Sequence, residues 1–316
     1  MAGERIEDQV IVLIAAPGKA VVDDEVLGEA VSAVAPFMPE VRWLDEEGRE
    51  ACEVAFTPPP ASHYQPRSLE ERLRGRLMGL EVDVAVLPLG GRRKKLLMAD
   101  LDASVIATEC IGELMAAVGG GAQVAAIAAR VLRDGMSLHD ETRHEAMALF
   151  GALPEETVRE MIGKCIRIRP DAAVLAATMK AKGAFTALVS GGPAVVVRHV
   201  AEALGVDAWR ACVSRTDGRE PAGATEALEA LEADGRGRLE FMRELVRARG
   251  LSAADVLAVG ESAADVPMVE AAGLGVAWHA VPALRAVADA RIDHGDLTAL
   301  LYLQGYRRDE FVVPGR

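Results

Sequence analysis

Cysteine is scarce in this chain: four among 316 residues, Cys52, Cys110, Cys165 and Cys212, with no paired spacing. That argues against a disulfide framework and against a thiolate metal site. The six histidines (His63, His139, His144, His199, His279 and His294) show no ligand spacing either, and read as surface or loop residues. Aromatic residues make up only 4%, and Trp43, Trp209 and Trp278 read as packing residues, not as a stacking platform. Positive charge is also short. Lys and Arg number 35 against 48 Asp and Glu, a net charge of −13, which speaks against nucleic acid or an anionic membrane as partner. The one basic cluster, Arg92-Arg93-Lys94-Lys95, reads as a solvated linker. The apolar run Val10–Ala16 is too short to cross a bilayer, and the polar start Met1–Asp8 is not a signal peptide. A cytoplasmic protein is expected.

What is present is apolar content, 51%, enough for a substantial core and for two domains. Val10–Ala15 and Val82–Leu87 read as strands, with shorter candidates at Val41–Leu44 and Ala51–Phe56. Asp23–Ala35 and Ser68–Leu80 read as helices. This order, strand-helix-strand-strand-helix-strand, is that of a ferredoxin-like α+β domain. Gly90-Gly91 marks a junction, giving domains of 1–90 and 91–316. Residues 108–165 are helical by pattern, and from Pro170 strands and helices alternate, which implies a doubly wound parallel sheet.

The most informative stretch is Leu96–Ile106. A short apolar run ends in Asp100 and Asp102, with Ser104 two positions later. At the carboxyl end of a strand the two aspartates share a face, where open α/β sheets bind ligands. Two converging carboxylates ask for a divalent cation or a shared proton; alone, the pattern equally fits an ordinary acidic turn. Two further runs resemble it. Ala184–Val189 leads into Ser190-Gly191-Gly192, whose glycines let backbone N–H groups approach an anion. Val256–Val259 leads into Gly260-Glu261-Ser262-Ala263-Ala264-Asp265. Three strand ends compatible with phosphate or metal describe a site for phosphoryl transfer with a hard cation.

On these motifs the chain resembles the phosphoserine phosphatases of the haloacid dehalogenase superfamily. The likeness runs from Arg92 to Val312 and is closest at Lys94–Leu114, Ala184–Gly192 and Leu251–Val312, including the end segment Asp289–Tyr306. The resemblance implies a haloacid dehalogenase-like α/β fold, a helical cap inserted at about 108–165, and an N-terminal regulatory domain of the amino-acid-binding type. It implies Mg2+ as cofactor, a small phosphorylated substrate, and hydrolysis of O-phosphoserine in serine biosynthesis. Asp100 would be the nucleophile and Asp102 the acid and base. Ser104, Ser190 and Gly191 would bind the phosphoryl oxygens, and Glu109 would face the substrate's amino group. Arg238 stands where the family has a lysine. Asp100, Asp102 and Glu261 would serve the metal, with Asp265 there or in support of the basic residue. A role in dimerisation, giving a homodimer, or in packing is the plainer expectation for the N-terminal domain.

The motifs also depart from the family. Ala103-Ser104 replaces serine-threonine, Glu261 an aspartate and Ala264 an asparagine, while Ala146 falls where an arginine clamps the substrate carboxylate. Arginine keeps the charge of lysine but is bulkier and forked. Glutamate is longer by one methylene where magnesium tolerates little departure from octahedral geometry. Three outcomes are compatible with these changes: phosphoserine hydrolysis, hydrolysis of another small phosphate ester, or a catalytically weak relative that binds or regulates.

Overall fold

The computed structural model describes residues 8–58, 65–100, 168–212 and 235–315. The cap expected at 108–165, with Asp102, Ser104, Glu109 and Ala146, lies outside the described residues.

The N-terminal part follows the expected element order: β1 (Gln9–Ala15), α1 (Asp24–Val34), β2 (Glu40–Asp45), β3 (Ala51–Phe56), α2 (Pro66–Arg76) and β4 (Val82–Pro88). The strands form an antiparallel sheet in the order β2-β3-β1-β4. Asp23 is the cap of α1, its carboxylate accepting the Val26 N–H at 2.9 Å. Helix α2 starts earlier than its apolar pattern predicts, because Pro66 occupies a first-turn position. It also ends earlier, ahead of Gly79 at φ +91°.

Both faces of this sheet are buried. Strand alternation sends Ile11, Leu13 and Ala15 of β1 towards α1 and α2, and Val10, Val12 and Ile14 to the opposite face. That second face shares one continuous core with Leu300 and Tyr302 near the C-terminus. Two polar links reinforce it. Asp83, 1% exposed, accepts the backbone N–H groups of Asp293 (2.7 Å), His294 (3.1 Å) and Gly295 (2.7 Å). Arg92 is not the solvated residue its basic run predicts. It is buried, paired with Glu53 at 3.0 Å, and donates to the Leu303 carbonyl. Arg93 and Lys95 do stay largely exposed.

The second sheet is parallel throughout, in the order β10-β9-β8-β5-β6-β7. Its strands are β5 (Leu96–Asp100), β6 (Phe185–Pro193), β7 (Ala208–Cys212), β8 (Val256–Gly260), β9 (Leu274–Trp278) and β10 (Ala290–Ile292). Helices α3 (Pro170–Ala181) and α4 (Ala194–Leu204) share a core with Leu97 and Ala99. Helices α5 (Arg236–Arg249), α6 (Val266–Ala271) and α7 (Pro282–Val287) share one with Leu96 and Met98. The alternating side chains of β5 therefore bury into opposite layers, the doubly wound arrangement that the sequence implies. A short α8 (Ala299–Leu303) closes the side facing the N-terminal sheet.

Trp278 is buried, but Trp209 is 38% exposed, which corrects its reading as a packing residue. It sits on β7, the edge strand of the sheet among the described residues. Cys52 is buried, and burial followed by the neighbouring Glu53 carboxylate pushes its thiol up to about 12, so it stays protonated.

Candidate active site

Strand register assembles the site. Asp100 pairs with Val189 of β6, and Ala99 with Val259 of β8. Neighbouring strands lie about 4.8 Å apart, so Asp100, Ser190 and Gly260 meet at one edge of the sheet. Strand β5 is flanked by β8 on one side and β6 on the other, which opens the crevice where doubly wound sheets take ligands.

Asp100 is fully buried. Arg238, 2% exposed, bridges it to a second buried carboxylate: Nη2 lies 3.9 Å from Asp100 Oδ2, and Nε lies 3.1 Å from Asp265 Oδ1. The other oxygen of Asp265 accepts the N–H of Glu261 (3.2 Å), the N–H of Ser262 (3.0 Å) and the Ser262 hydroxyl (2.8 Å). Asp265 therefore closes the turn after β8 with one oxygen and orients Arg238 with the other.

Two glycines make that possible. A Cβ at Gly260 would collide with the Asp265 side chain as it folds back over the strand end. Gly235, at φ +73°, caps α5 and packs against the Ala264 carbonyl, where a Cβ would not fit. The first turn of α5 can thus sit on the 263–265 turn and deliver Arg238 beneath Asp100. Gly235 was absent from the sequence-derived candidates, although a glycine three positions before the buried arginine was a readable signal.

Ser190 and Gly191 are buried at the end of β6. Between β6 and β7 the register moves from Ser190–Ala211 directly to Pro193–Cys212. Gly191 and Gly192 thus bulge out of the ladder just before α4 begins, where the positive end of the helix favours an anion. Glu261 is half-buried, and its carbonyl accepts the Val281 N–H at 2.9 Å.

The donor set suits a hard cation. Asp100 and Asp265 bring buried carboxylates to this edge with Arg238 between them, and Glu261 follows Gly260 at the end of β8. Carboxylate oxygens are the donors magnesium takes. Among the described residues no three carboxylate, histidine or cysteine side chains gather closely enough to hold a metal alone.

Residues 97–270 match the family model of haloacid dehalogenase-like hydrolases. The chain belongs to that family. It is 33% identical over 226 residues to a phosphoserine phosphatase of Polaromonas sp., spanning 71% of this chain and 96% of that protein. Among solved structures, a haloacid dehalogenase family hydrolase from Salmonella enterica serovar Typhi superposes with a TM-score of 0.70. That match covers 93% of this chain and 98% of the other at 19% identity, and it supports the fold alone. A phosphoserine phosphatase solved as a phospho-aspartyl intermediate analogue gives a TM-score of 0.50 at 28% identity, covering 66% of this chain and 98% of its own. As a member of this family the protein is a hydrolase on a haloacid dehalogenase-like scaffold with an additional antiparallel sheet at its N-terminus.

Proposed function

We propose that this hydrolase is a magnesium-dependent phosphoserine phosphatase that works through an aspartyl phosphate on Asp100. The observation that carries the reading is the buried Asp100–Arg238–Asp265 arrangement at the carboxyl edge of β5, beside the bulged Ser190-Gly191-Gly192 loop. The names of the relatives supply the substrate class.

An oxygen of Asp100 attacks phosphorus and the ester P–O bond breaks, leaving the phosphoryl group on Asp100. The departing serine oxygen takes a proton from Asp102, which then accepts one from the attacking water as phosphate leaves. Arg238 offsets charge beside the nucleophile throughout, while Ser190, Ser104 and the Gly191 N–H hold the phosphoryl oxygens. Asp100, Asp102 and Glu261 would hold Mg2+, which when bound neutralises phosphate charge. Glu109 would receive the substrate's amino group.

Residues 1–90 are read as a ferredoxin-like domain that self-associates, giving a homodimer, and 91–316 as the phosphatase domain with its cap. A cytoplasmic place in serine biosynthesis fits. Among the described residues no helix is long and apolar enough to cross a membrane.

One observation favours slower turnover than is usual for the family. Arg238 divides its guanidinium between Asp265 at 3.1 Å and Asp100 at 3.9 Å, so its hold on the nucleophile is the looser of the two. The test is release of phosphate from a panel of small phosphate esters, with and without magnesium. O-phosphoserine should be hydrolysed only with magnesium and faster than phosphoethanolamine, which lacks the carboxylate. Preference for a different ester would move the assignment to another phosphatase, and no release from any ester would leave a binding protein.

A further inference from the structure

An open cavity of about 300 Å³ lies where the N-terminal sheet meets the linker into β5, at the lower end of the ~300–1,000 Å³ range of small-molecule sites. Arg42 reaches it from β2, the strand at one edge of the N-terminal sheet. Gly91, Arg92 and Arg93 reach it from the linker between β4 and β5, and Gly305 from the turn after α8. Arg93 precedes β5 and Asp100 ends it, so a five-residue strand of about 15 Å separates the cavity from Asp100.

Among the described residues that line the cavity, three are arginines and none is a carboxylate. The carboxylates that pair with them are shared. Glu53 serves Arg42 (2.5 Å) and Arg92 (3.0 Å), while Glu310 serves Arg93 (2.9 Å) and Lys182 (3.1 Å). Two carboxylates thus meet four cations, a local positive excess in a chain of net charge −13.

The three guanidinium groups converge. Glu53 holds those of Arg42 and Arg92 on its two oxygens. The Gly305 carbonyl accepts from Arg93 Nη2 at 3.2 Å, and a Cβ on Gly305 would come within 2.9 Å of Arg92 Nη2. A bare glycine therefore lets two arginines approach one backbone position. Arg92 is buried and fully engaged, with Nε on the Leu89 carbonyl, Nη1 on that of Leu303 and Nη2 on Glu53. Arg42 and Arg93 are 56% and 48% exposed, and these contacts engage one terminal nitrogen of each. A guanidinium carries five N–H donors, so both keep donors for a ligand. The Arg93 group also lies over the Tyr306 ring, 4.1 Å from its centre, which steadies its plane.

We propose that this cavity binds the phosphate group of a small polar anion, its oxygens on Arg42 and Arg93 and the charge of Arg92 adding to the attraction. A phosphate monoester carries about −1.5 to −2 at neutral pH, which matches an excess of two cations. Forked guanidinium groups suit phosphate oxygens, and Leu89 is the one large apolar residue among those lining the cavity. An occupant would tie β2 to the linker into β5.

The probe is inorganic pyrophosphate, added to the full chain with a chelator so that no divalent cation competes. Phenylglyoxal, which modifies accessible guanidinium groups, reports on each arginine by peptide mass spectrometry, so binding near Asp100 is read separately. Pyrophosphate should slow modification of Arg42 and Arg93 by about fivefold or more. Arg210, a similarly exposed arginine paired with Glu244 at 2.6 Å, should change by less than about twofold. Because the two arginines share one ligand, Arg42→Gln should abolish the protection of Arg93, and Arg93→Gln that of Arg42. Far-UV circular dichroism checks each fold, and if one variant fails to fold the other still decides. No protection in the parent, equal protection of Arg210, or full protection of the remaining arginine in a folded variant would overturn the proposal.

Discussion

Replacing Asp83 with alanine tests how the two sheets are held together. Its carboxylate is nearly inaccessible and accepts three consecutive backbone N–H groups, from Asp293, His294 and Gly295. The Gly295 bond is buried and the other two are partly so. A buried donor left without an acceptor costs about 1–3 kcal/mol, and a half-exposed one less because water replaces the lost partner. Counting about 2 kcal/mol for Gly295 and about half that for each of the others gives a loss of about 4 kcal/mol. At roughly 2 °C per kcal/mol for a chain of this size, the midpoint of thermal unfolding should fall by about 8 °C. Asp83→Asn keeps one acceptor oxygen and should lose about half as much. Thermal unfolding followed by circular dichroism is the assay. A fall of less than about 2 °C for the alanine variant would show that the 293–295 loop is held by its own strand, not from the N-terminal sheet.

Glu50 has its carboxyl raised above the usual range, burial being the largest cause, opposed by Arg308 and joined by Asp296 and Asp45. A carboxyl whose folded pKa is raised destabilises the fold once it ionises. Glu50→Gln should therefore raise the unfolding midpoint at pH 7 to 8, with the gain shrinking as pH falls through the ordinary carboxylate range; a gain independent of pH would refute this. The combined change Arg238→Lys, Glu261→Asp and Ala264→Asn should raise turnover of O-phosphoserine about tenfold or more, about 1.4 kcal/mol of barrier. Equal steady-state rates in the parent and this variant would mean that the parent site has a working geometry of its own. Glu310 is half-buried, and although desolvation opposes it, the Arg307 N–H, Arg93 and Lys182 hold its carboxyl down at about 2. Glu310→Gln should then lower the midpoint near neutral pH and have no effect below about pH 2, read from unfolding across pH, because a depressed carboxylate stabilises only while ionised.

Much of the fold was legible because the signals were local. The apolar runs ending at Asp100, Ser190 and Gly260 became β5, β6 and β8, and their shared edge follows from parallel pairing. The N-terminal element order was equally plain in the alternation of short apolar strands with helices. Less legible was what depends on distant packing. Arg92 lay in a basic run that local composition assigns to solvent, yet it is drawn inward by Glu53 on β3. Asp83 carried no motif, since its partners are backbone N–H groups more than two hundred positions away. In the site, charge signs at Arg238 and Glu261 could be read from the sequence. The division of Arg238 between Asp265 and Asp100 could not, because it depends on how Gly235 seats α5 against Ala264.

The most direct measurement is the fate of the phosphoryl group. O-phosphoserine and magnesium are mixed with the full chain, the reaction is quenched in acid, and the phosphorylated peptide is identified by mass spectrometry. With Asp100 as the nucleophile, the phosphoryl group should appear on Asp100, and the Asp100→Asn protein should neither carry it nor release phosphate. Phosphate release by the folded Asp100→Asn variant at the parent's rate, or label on another residue, would contradict it.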